Sequence, residues 1–545
     1  MTLQITRRDL FAVGAATAAT AGLASCGSSS GSRGDAKASA DITLPTYKPI
    51  EGLTPDLEGN EQGLHNVFLK APEKLLSTTD KKPITSGKAT ALTQTFQTPP
   101  PPMDSNPFWK RLNEALGGTL ALTVVVDSYP QKFATPLASG DLPDLMWVPP
   151  NQGIPNVGPM LESQFTDLTK YLSGDAVLEY PNLAALTPGS WRTAVVNGKI
   201  WGAPIPSTPF GQVYVGNPSV WKDVDGLQCS SAQEFLDKCK EITQPGKRWA
   251  LEPFLPNAFH MFSQWHGCPN GYRVNKDRTL TAAHQTDEYL ETLEYAQKVF
   301  AAGVFYPDLN LAEGAQYFAN GTIAAMVAVG PRSASESRLT GGFLSDIMVP
   351  FSAVPGRRPV YNMGYGTVGF TPFRKTDDEK KIRELLSLIN WLSAPFGTTE
   401  YMQKNYGTEG EDYELKDGNY VLTEPGKTNV PGLQSALNIM TSGEGVIYNP
   451  VEDDSTYIYE KEKELLEISM QHPQKGLYSN TSSAKGAELG ARLNDVRNDV
   501  IQGRKTIDDF KKAVKDWEER GGKKILEEYA EVLPKDVPVT PSTSL

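Results

Sequence analysis

Between Ala89 and Val148 apolar runs of strand length alternate with helix-length segments, and this order restricts the fold more than any other feature of the chain. Ala89–Phe96 reads as a strand. The four prolines Pro99–Pro102 then force an extended loop, because each fixes φ and removes an N–H donor. Asn106–Leu116 reads as a helix, with Pro107 suited to its first turn and Gly117-Gly118 as its stop. Leu120–Val126 is apolar and β-branched, the pattern of a strand buried on both faces. Lys132–Ala138 is a short helix and Leu145–Val148 a further strand. Strand, helix, strand, helix, strand favours a mainly parallel sheet with helices on both faces. At 545 residues the chain is long enough for two or three domains with large cores.

Later helices carry their own start and stop signals. Thr286 precedes Asp287–Ala302, whose Leu290, Leu293 and Val299/Phe300 share a side, with Gly303 behind. Thr376 or Asp377 starts a helix through Ile382, Leu385, Leu386, Ile389 and Leu392, ended by Pro395. Thr506 with Asp509 starts the helix that carries Phe510, Val514 and Trp517 toward Gly521-Gly522. These apolar stripes read as core.

The first 26 residues are of another kind. Arg7-Arg8 precede an apolar run from Leu10 to Leu23 that is too short to span a bilayer, and Leu23-Ala24-Ser25-Cys26 follows. The arginine pair with Leu10-Phe11 behind it resembles a twin-arginine export signal, and Leu-Ala-Ser-Cys resembles a lipobox. The two together imply removal of residues 1–25, a diacylglycerol thioether on Cys26 with palmitate-type acylation, and a location on the outer face of the cytoplasmic membrane. Gly27 to Ala40 is a Gly/Ser-rich tether, and residues 41–85 form a Pro- and Thr-rich lead-in without a core of its own. A formal net charge of −12 argues against nucleic acid or an anionic lipid surface as partner. Cys229, Cys239 and Cys268 remain beside Cys26; a bridge from Cys239 to either neighbour and three buried free thiols are all allowed by spacing.

Nucleotide and metal chemistries find no support. Gly364-Tyr365-Gly366-Thr367-Val368-Gly369 fits G-x-G-x-x-G, but Phe370-Thr371-Pro372 follows where a helix should open, so no helix N-terminus awaits a pyrophosphate. There is no nucleophile elbow, H-E-x-x-H or Walker loop. His260 and His266 stand six apart and cannot share a helix face as an i, i+4 pair does. Glu452-Asp453-Asp454 lacks the glycine and spacing of a calcium loop, which leaves a structural calcium elsewhere open. No cofactor is expected.

Four segments in order resemble the extracellular solute-binding proteins of ABC importers, the family that includes the maltose-type binding proteins. They are Leu137-Ala138-Ser139-Gly140-Asp141-Leu142-Pro143-Asp144-Leu145, Val196-Asn197-Gly198-Lys199-Ile200-Trp201-Gly202-Ala203-Pro204, Phe318–Met326 with Gly330-Pro331 behind it, and Ile501–Thr506. Thr322 stands where a lysine is usual. Asn405–Tyr413, followed by Lys416-Asp417-Gly418, is similar to an insert of the long oligosaccharide-binding lipoproteins of Gram-positive bacteria. The resemblance covers residues 88–530. It implies a two-lobed α/β fold of the periplasmic-binding-protein type II, each lobe a mainly parallel sheet flanked by helices, with a hinge between lobes. Lobe 1 is expected over 86–205 and 362–435, lobe 2 over 206–361 and 436–535, with a tail at 536–545. Pro204–Gly216 and Phe351–Tyr361 are expected as hinge crossovers.

The function this resemblance implies is capture of a carbohydrate, most simply an oligosaccharide, by a monomeric receptor that delivers it to ABC permease subunits without making or breaking a bond. A sugar is held by stacking its C–H faces on aromatic rings and by hydrogen bonds to its hydroxyls. Trp147, Asn151 and Gln152 follow the Pro143-Asp144 segment, where the maltose-type proteins carry aromatic and polar contacts. Glu252 and Phe254 resemble that family's carboxylate and stacking ring. Arg332 stands where the family often has a stacking Trp, which changes what that position can offer. Tyr478 and Asn480 match a third ligand loop, and Trp265 and Tyr365 are aromatic candidates by position. A secreted glycoside hydrolase with two carboxylates, and a receptor for a non-sugar solute such as a peptide, are the alternatives.

Overall fold

In sequence order, the elements that position the site are β1 (Asn66–Phe68), β2 (Lys88–Gln94), α1 (Pro107–Leu116), β3 (Thr119–Val125), α2 (Tyr129–Ser139), β4 (Leu145–Met146), β5 (Gly202–Pro206), β6 (Gln212–Gly216), β7 (Trp249–Leu251), α3 (Leu255–Trp265), α4 (Asp287–Ala301), β8 (Ile323–Val329), β9 (Asp346–Ile347), β10 (Thr367–Pro372), α5 (Glu379–Leu392), α6 (Thr399–Asn405), α7 (Pro431–Asn438), β11 (Val446–Tyr448), α8 (Glu452–Glu467), α9 (Ala487–Ile501) and α10 (Ile507–Trp517). The structure, a computed structural model, describes residues 42–150, 154, 156–308, 314–449 and 451–543. Residues 1–41, Cys26 among them, and Asn151 and Gln152 lie outside the described residues.

The first sheet has the order β3-β2-β4 and is parallel throughout, with Lys88–Gln94 paired residue for residue against Thr119–Val125. Alternation along the strands feeds two cores. Ala89, Ala91 and Leu120 pack with α1 and α5, whereas Leu92 and Val125 pack with Tyr129 and Phe133 of α2. The covering helices explain why these strands are apolar on both faces. Asn106 caps α1 by accepting the Trp109 N–H at 3.1 Å, and the Trp109 indole donates to Leu120 O, pinning helix to strand.

The second sheet has the order β9-β6-β8-β7. Its directions differ from the expected mainly parallel arrangement. Only β7–β8 is parallel; β6 runs antiparallel to both β8 and β9. The reason is topological: β6 enters by the extended crossover after β5 rather than through a helix of its own sheet, so nothing forces it parallel. One face carries Tyr214, Ala325 and Val327 into a core with α3, α4, α9 and α10; the other carries Val213, Val215 and Met326.

The chain passes from the first sheet to the second between β5 and β6, and returns before β10, which pairs antiparallel with β5. Apolar residues up to Met440 belong to the first core, so the expected boundary at 435/436 falls inside α7, and the third crossover follows at 441–446. Both cores lie in one compact unit, Asp35–Leu545. The lead-in is ordered: β1 pairs in parallel with β11, and Val67 shares a small apolar cluster with Ile447 and Ile458. Cys229, Cys239 and Cys268 are buried free thiols, which settles the alternatives left by spacing, and burial raises the pKa of each. Gly369 lies within β10, so the glycine-rich stretch opens a strand and not a nucleotide-binding helix.

Candidate functional site

Parallel strands put their carboxyl ends at one edge, and ligands of open α/β sheets bind outside that edge. Among the described residues ten large apolar side chains are exposed, and four sit immediately at such ends. Phe96 (63% exposed) follows β2 and Val126 (52%) follows β3; Phe254 (42%) follows β7 and Val329 (65%) ends β8. These four exposed side chains share one topological place, the carboxyl ends of strands in the two sheets, which makes those ends the candidate site.

On the first sheet the ring of Phe96 stands edge-on to Trp147, centroids 6.5 Å apart. Trp147 itself is only 2% exposed. Its indole N–H donates to Val368 O at 2.8 Å, its carbonyl accepts the Tyr129 hydroxyl at 2.8 Å, and the two rings lie 4.8 Å apart. Trp147 therefore forms the floor that holds Phe96. Gly369 makes this possible: at φ 118 it brings β10 so close that a Cβ there would lie 2.1 Å from Val148 O and 3.1 Å from the Trp147 indole nitrogen.

On the second sheet Glu252 is buried, and burial raises its pKa. Oε1 accepts the Val327 N–H at 3.1 Å and the Asn257 amide at 3.2 Å. The carboxylate ties β7 to β8 and to α3, so it fixes the turn that displays Phe254 at the N-terminus of α3.

The remaining candidates separate. Tyr478 is half-buried and packs on the Trp147 core. Asn480 is exposed. The Tyr365 ring lies 4.8 Å from His472, and its hydroxyl accepts from the Gln474 amide at 3.1 Å. Burial holds His472 down at about 4, with His260 adding to the effect, and pushes the Tyr365 phenol up. Trp265, 1% exposed, is a core residue; Phe351, Phe235 and Phe262 surround it with centroids at 4.5, 4.8 and 5.0 Å. Arg332 points toward the third crossover, donating to Val446 O at 3.0 Å. The structure thus brings Trp147 together with Phe96 and Tyr478, and Glu252 with Phe254, while Trp265 packs in a core and Arg332 bonds the backbone of β11. Phe96, Val126 and Val329 were not singled out from sequence. The readable signal was an apolar residue closing a strand just before a proline run or a Gly-Pro turn. Among the described residues no cluster of three or more His, Cys, Asp or Glu is placed to hold a metal ion.

No family model matches the sequence. Among curated proteins the chain is similar to lipoprotein LipO of Bacillus subtilis, 22% identical over 457 residues, covering 79% of this chain and 89% of that protein. It is also similar to the polygalacturonan/rhamnogalacturonan-binding protein YtcQ of the same organism, 24% identical, covering 78% and 87%. Among solved structures it superposes on an HMO-binding, ABC-transporter-associated solute-binding protein from Bifidobacterium longum infantis with a TM-score of 0.61 at 14% identity, covering 82% of this chain and 98% of that one. The N-glycan transport solute-binding protein NgtS from Streptococcus pneumoniae gives 0.58 at 16%, covering 82% and 98%. The fold is that of the solute-binding proteins. Among the described residues no helix is long and apolar enough to cross a membrane.

Proposed function

We propose that the protein is an extracellular lipoprotein that captures an oligosaccharide between its lobes and delivers it to an ABC permease, without chemistry on the ligand. The observation that carries this reading is the pair of phenyl rings, Phe96 and Phe254, left exposed at strand carboxyl ends in the two sheets. Flat apolar rings match the C–H faces of pyranosides. The printed names of the relatives and structural neighbours, which include binders of polygalacturonan, HMO and N-glycans, support a carbohydrate ligand. The lobes are residues 86–205 with 362–435, extended to Met440 by the core, and 206–361 with the rest to 535. Closure about the crossovers would be driven by contacts that only the closed state makes. Cys26 is the proposed lipid anchor, placed by a twin-arginine signal on the outer face of the membrane.

Calorimetry against a panel of plant, milk and host oligosaccharides tests the reading. Phe96→Ala and Phe254→Ala are each expected to weaken the best ligand about tenfold, the scale of one stacking contact of about 1–1.5 kcal/mol. The melting temperature should barely move, because both rings face water. Unchanged affinity in both variants, or release of shorter glycans on incubation, would refute it.

A further inference from the structure

A second concavity lies away from the strand ends. A cavity of about 320 Å³ opens where four distant segments meet: the start of the lead-in, the turn at Arg192–Val195, the loop Lys475–Leu477 and the C-terminal segment Val532–Asp536. Its volume falls at the lower end of the range of small-molecule sites.

The walls are of two kinds. Leu44, Val195 and Leu477 present apolar surface. Arg192, Lys475 and Lys535 also line the cavity, with Asp536 as the single acidic residue. That carboxylate is engaged, since it accepts from the Arg192 guanidinium at 2.5 Å. Lys475 has no hydrogen-bond or ion-pair partner among the described residues, although it is only partly exposed. Its Nζ sits about where a Cβ on Gly366 or Gly189 would touch it, at 3.3 and 3.6 Å. The charged groups that act on it are Arg192 and Glu444. Glu444 Oε1 is occupied by the Thr187 N–H at 2.8 Å and the Ser190 hydroxyl at 3.1 Å. Burial lowers the lysine's pKa, the mark of an ammonium whose lost hydration is not replaced.

The arrangement is built and not incidental. Gly476, at φ 74, lets the loop press on the backbone of Arg192: a Cβ there would lie 2.5 Å from Arg192 O. A glycine at this place holds the unpartnered lysine beside the arginine, with the apolar wall on the same cavity.

We infer that this seam cavity binds the carboxylate of a sugar acid, with Lys475 pairing to it, Arg192 flanking it, and the apolar wall covering a C–H face of the ring. A fixed cation beside an apolar wall suits a ligand that is anionic on one edge and apolar on one face, which a hexuronate is and a bare inorganic anion is not. The choice of a sugar acid rests on the carbohydrate reading above, but the cavity does not use the strand-end rings, so the two are tested separately.

The test is titration calorimetry of the full chain with D-galacturonate, its neutral methyl ester and inorganic phosphate. Expected is one galacturonate per chain, with the ester and phosphate each at least tenfold weaker. Lys475→Gln and Arg192→Gln should each weaken galacturonate at least tenfold, and Lys475→Arg should retain it. Phe96→Ala should leave galacturonate affinity unchanged while weakening oligosaccharide at the strand ends. The inference is overturned if galacturonate does not bind, if the ester or phosphate binds as well as the acid, if Lys475→Gln binds like the parent, or if Phe96→Ala abolishes galacturonate binding. Failure of the carbohydrate reading shows differently, as oligosaccharide affinity indifferent to both phenyl rings.

Discussion

Lys404 gives the sharpest quantitative expectation. It lies buried in α6, and its ammonium donates to two carbonyl oxygens, Leu392 O at 2.7 Å and Thr441 O at 2.9 Å. Neither partner is a carboxylate, so the two carbonyls offset only part of the lost hydration of the charge. Burial brings its pKa down to about 7, against about 10.4 for a free lysine. Between those values the folded chain holds the amine neutral while the unfolded chain holds it charged. Unfolding then takes up a proton, and stability rises with pH by about 1.4 kcal/mol per pH unit. Below pH 7 both states carry the proton and the penalty is present in full, about 4–5 kcal/mol. Lys404→Met removes the penalty and also the two donors. Each orphaned carbonyl costs about 1–2 kcal/mol. The variant should therefore be more stable than the parent by up to about 3 kcal/mol at pH 6, and equal to it or up to about 2 kcal/mol less stable at pH 9. The difference between the two chains should change by about 2.7 kcal/mol across that interval. Urea denaturation of both chains at pH 6, 7, 8 and 9 measures it. Parallel stability profiles would refute the reasoning, since they would mean that the amine titrates alike in folded and unfolded chains.

Two further substitutions follow from the same packing. Glu462 is buried and accepts from His65 Nδ1 at 2.8 and 2.9 Å and from the His65 N–H at 3.2 Å, so Glu462→Ala should cost about 3–5 kcal/mol in urea denaturation, and a cost below 1 kcal/mol would remove this pair from the account of how the lead-in is held. Trp265→Ala should cost about 3–5 kcal/mol while leaving the oligosaccharide affinity of the folded protein unchanged; a selective loss of affinity would return Trp265 to the binding surface.

The first sheet was legible because its signals are local. Unbroken apolar runs and a proline just inside a helix survive any context, and Thr506 with Asp509 makes the reciprocal cap that the pattern predicts. Where two signals competed, geometry decided: α5 starts after Asp378, whose carboxylate accepts from Lys380 N and Lys381 N, while Thr376 turns its hydroxyl to Asp378 N. Thr286 likewise spends its hydroxyl on Ala283 O. The directions of the second sheet were not legible, because no residue of Gln212–Gly216 records that the strand arrives by a crossover. Trp265 is a core residue and not a ligand contact by position, because it shares a helical stripe with buried rings. Phe259, Phe262 and Trp265 recur every three residues along α3, which is a core stripe.

The lead-in shows most plainly what a local reading misses. Residues 41–85 lack the periodicity of either helix or strand, yet they are held at several points. His65 meets the Phe210 ring of the first crossover at 5.7 Å and the Glu462 carboxylate of α8. The next residue begins β1, which pairs with β11 at the end of the third crossover. Leu76 bridges to Thr398, and Glu400 accepts the N–H groups of Thr78 and Thr79, both at 3.0 Å. Each of these partners is supplied by a part of the chain remote in sequence. A segment held by its own tight turns and by partners remote in sequence has no reason to repeat apolar residues at either regular spacing. Its order is a property of the surfaces it covers, and two of those surfaces are crossovers between the lobes. The lead-in is therefore held in place by the crossovers it covers.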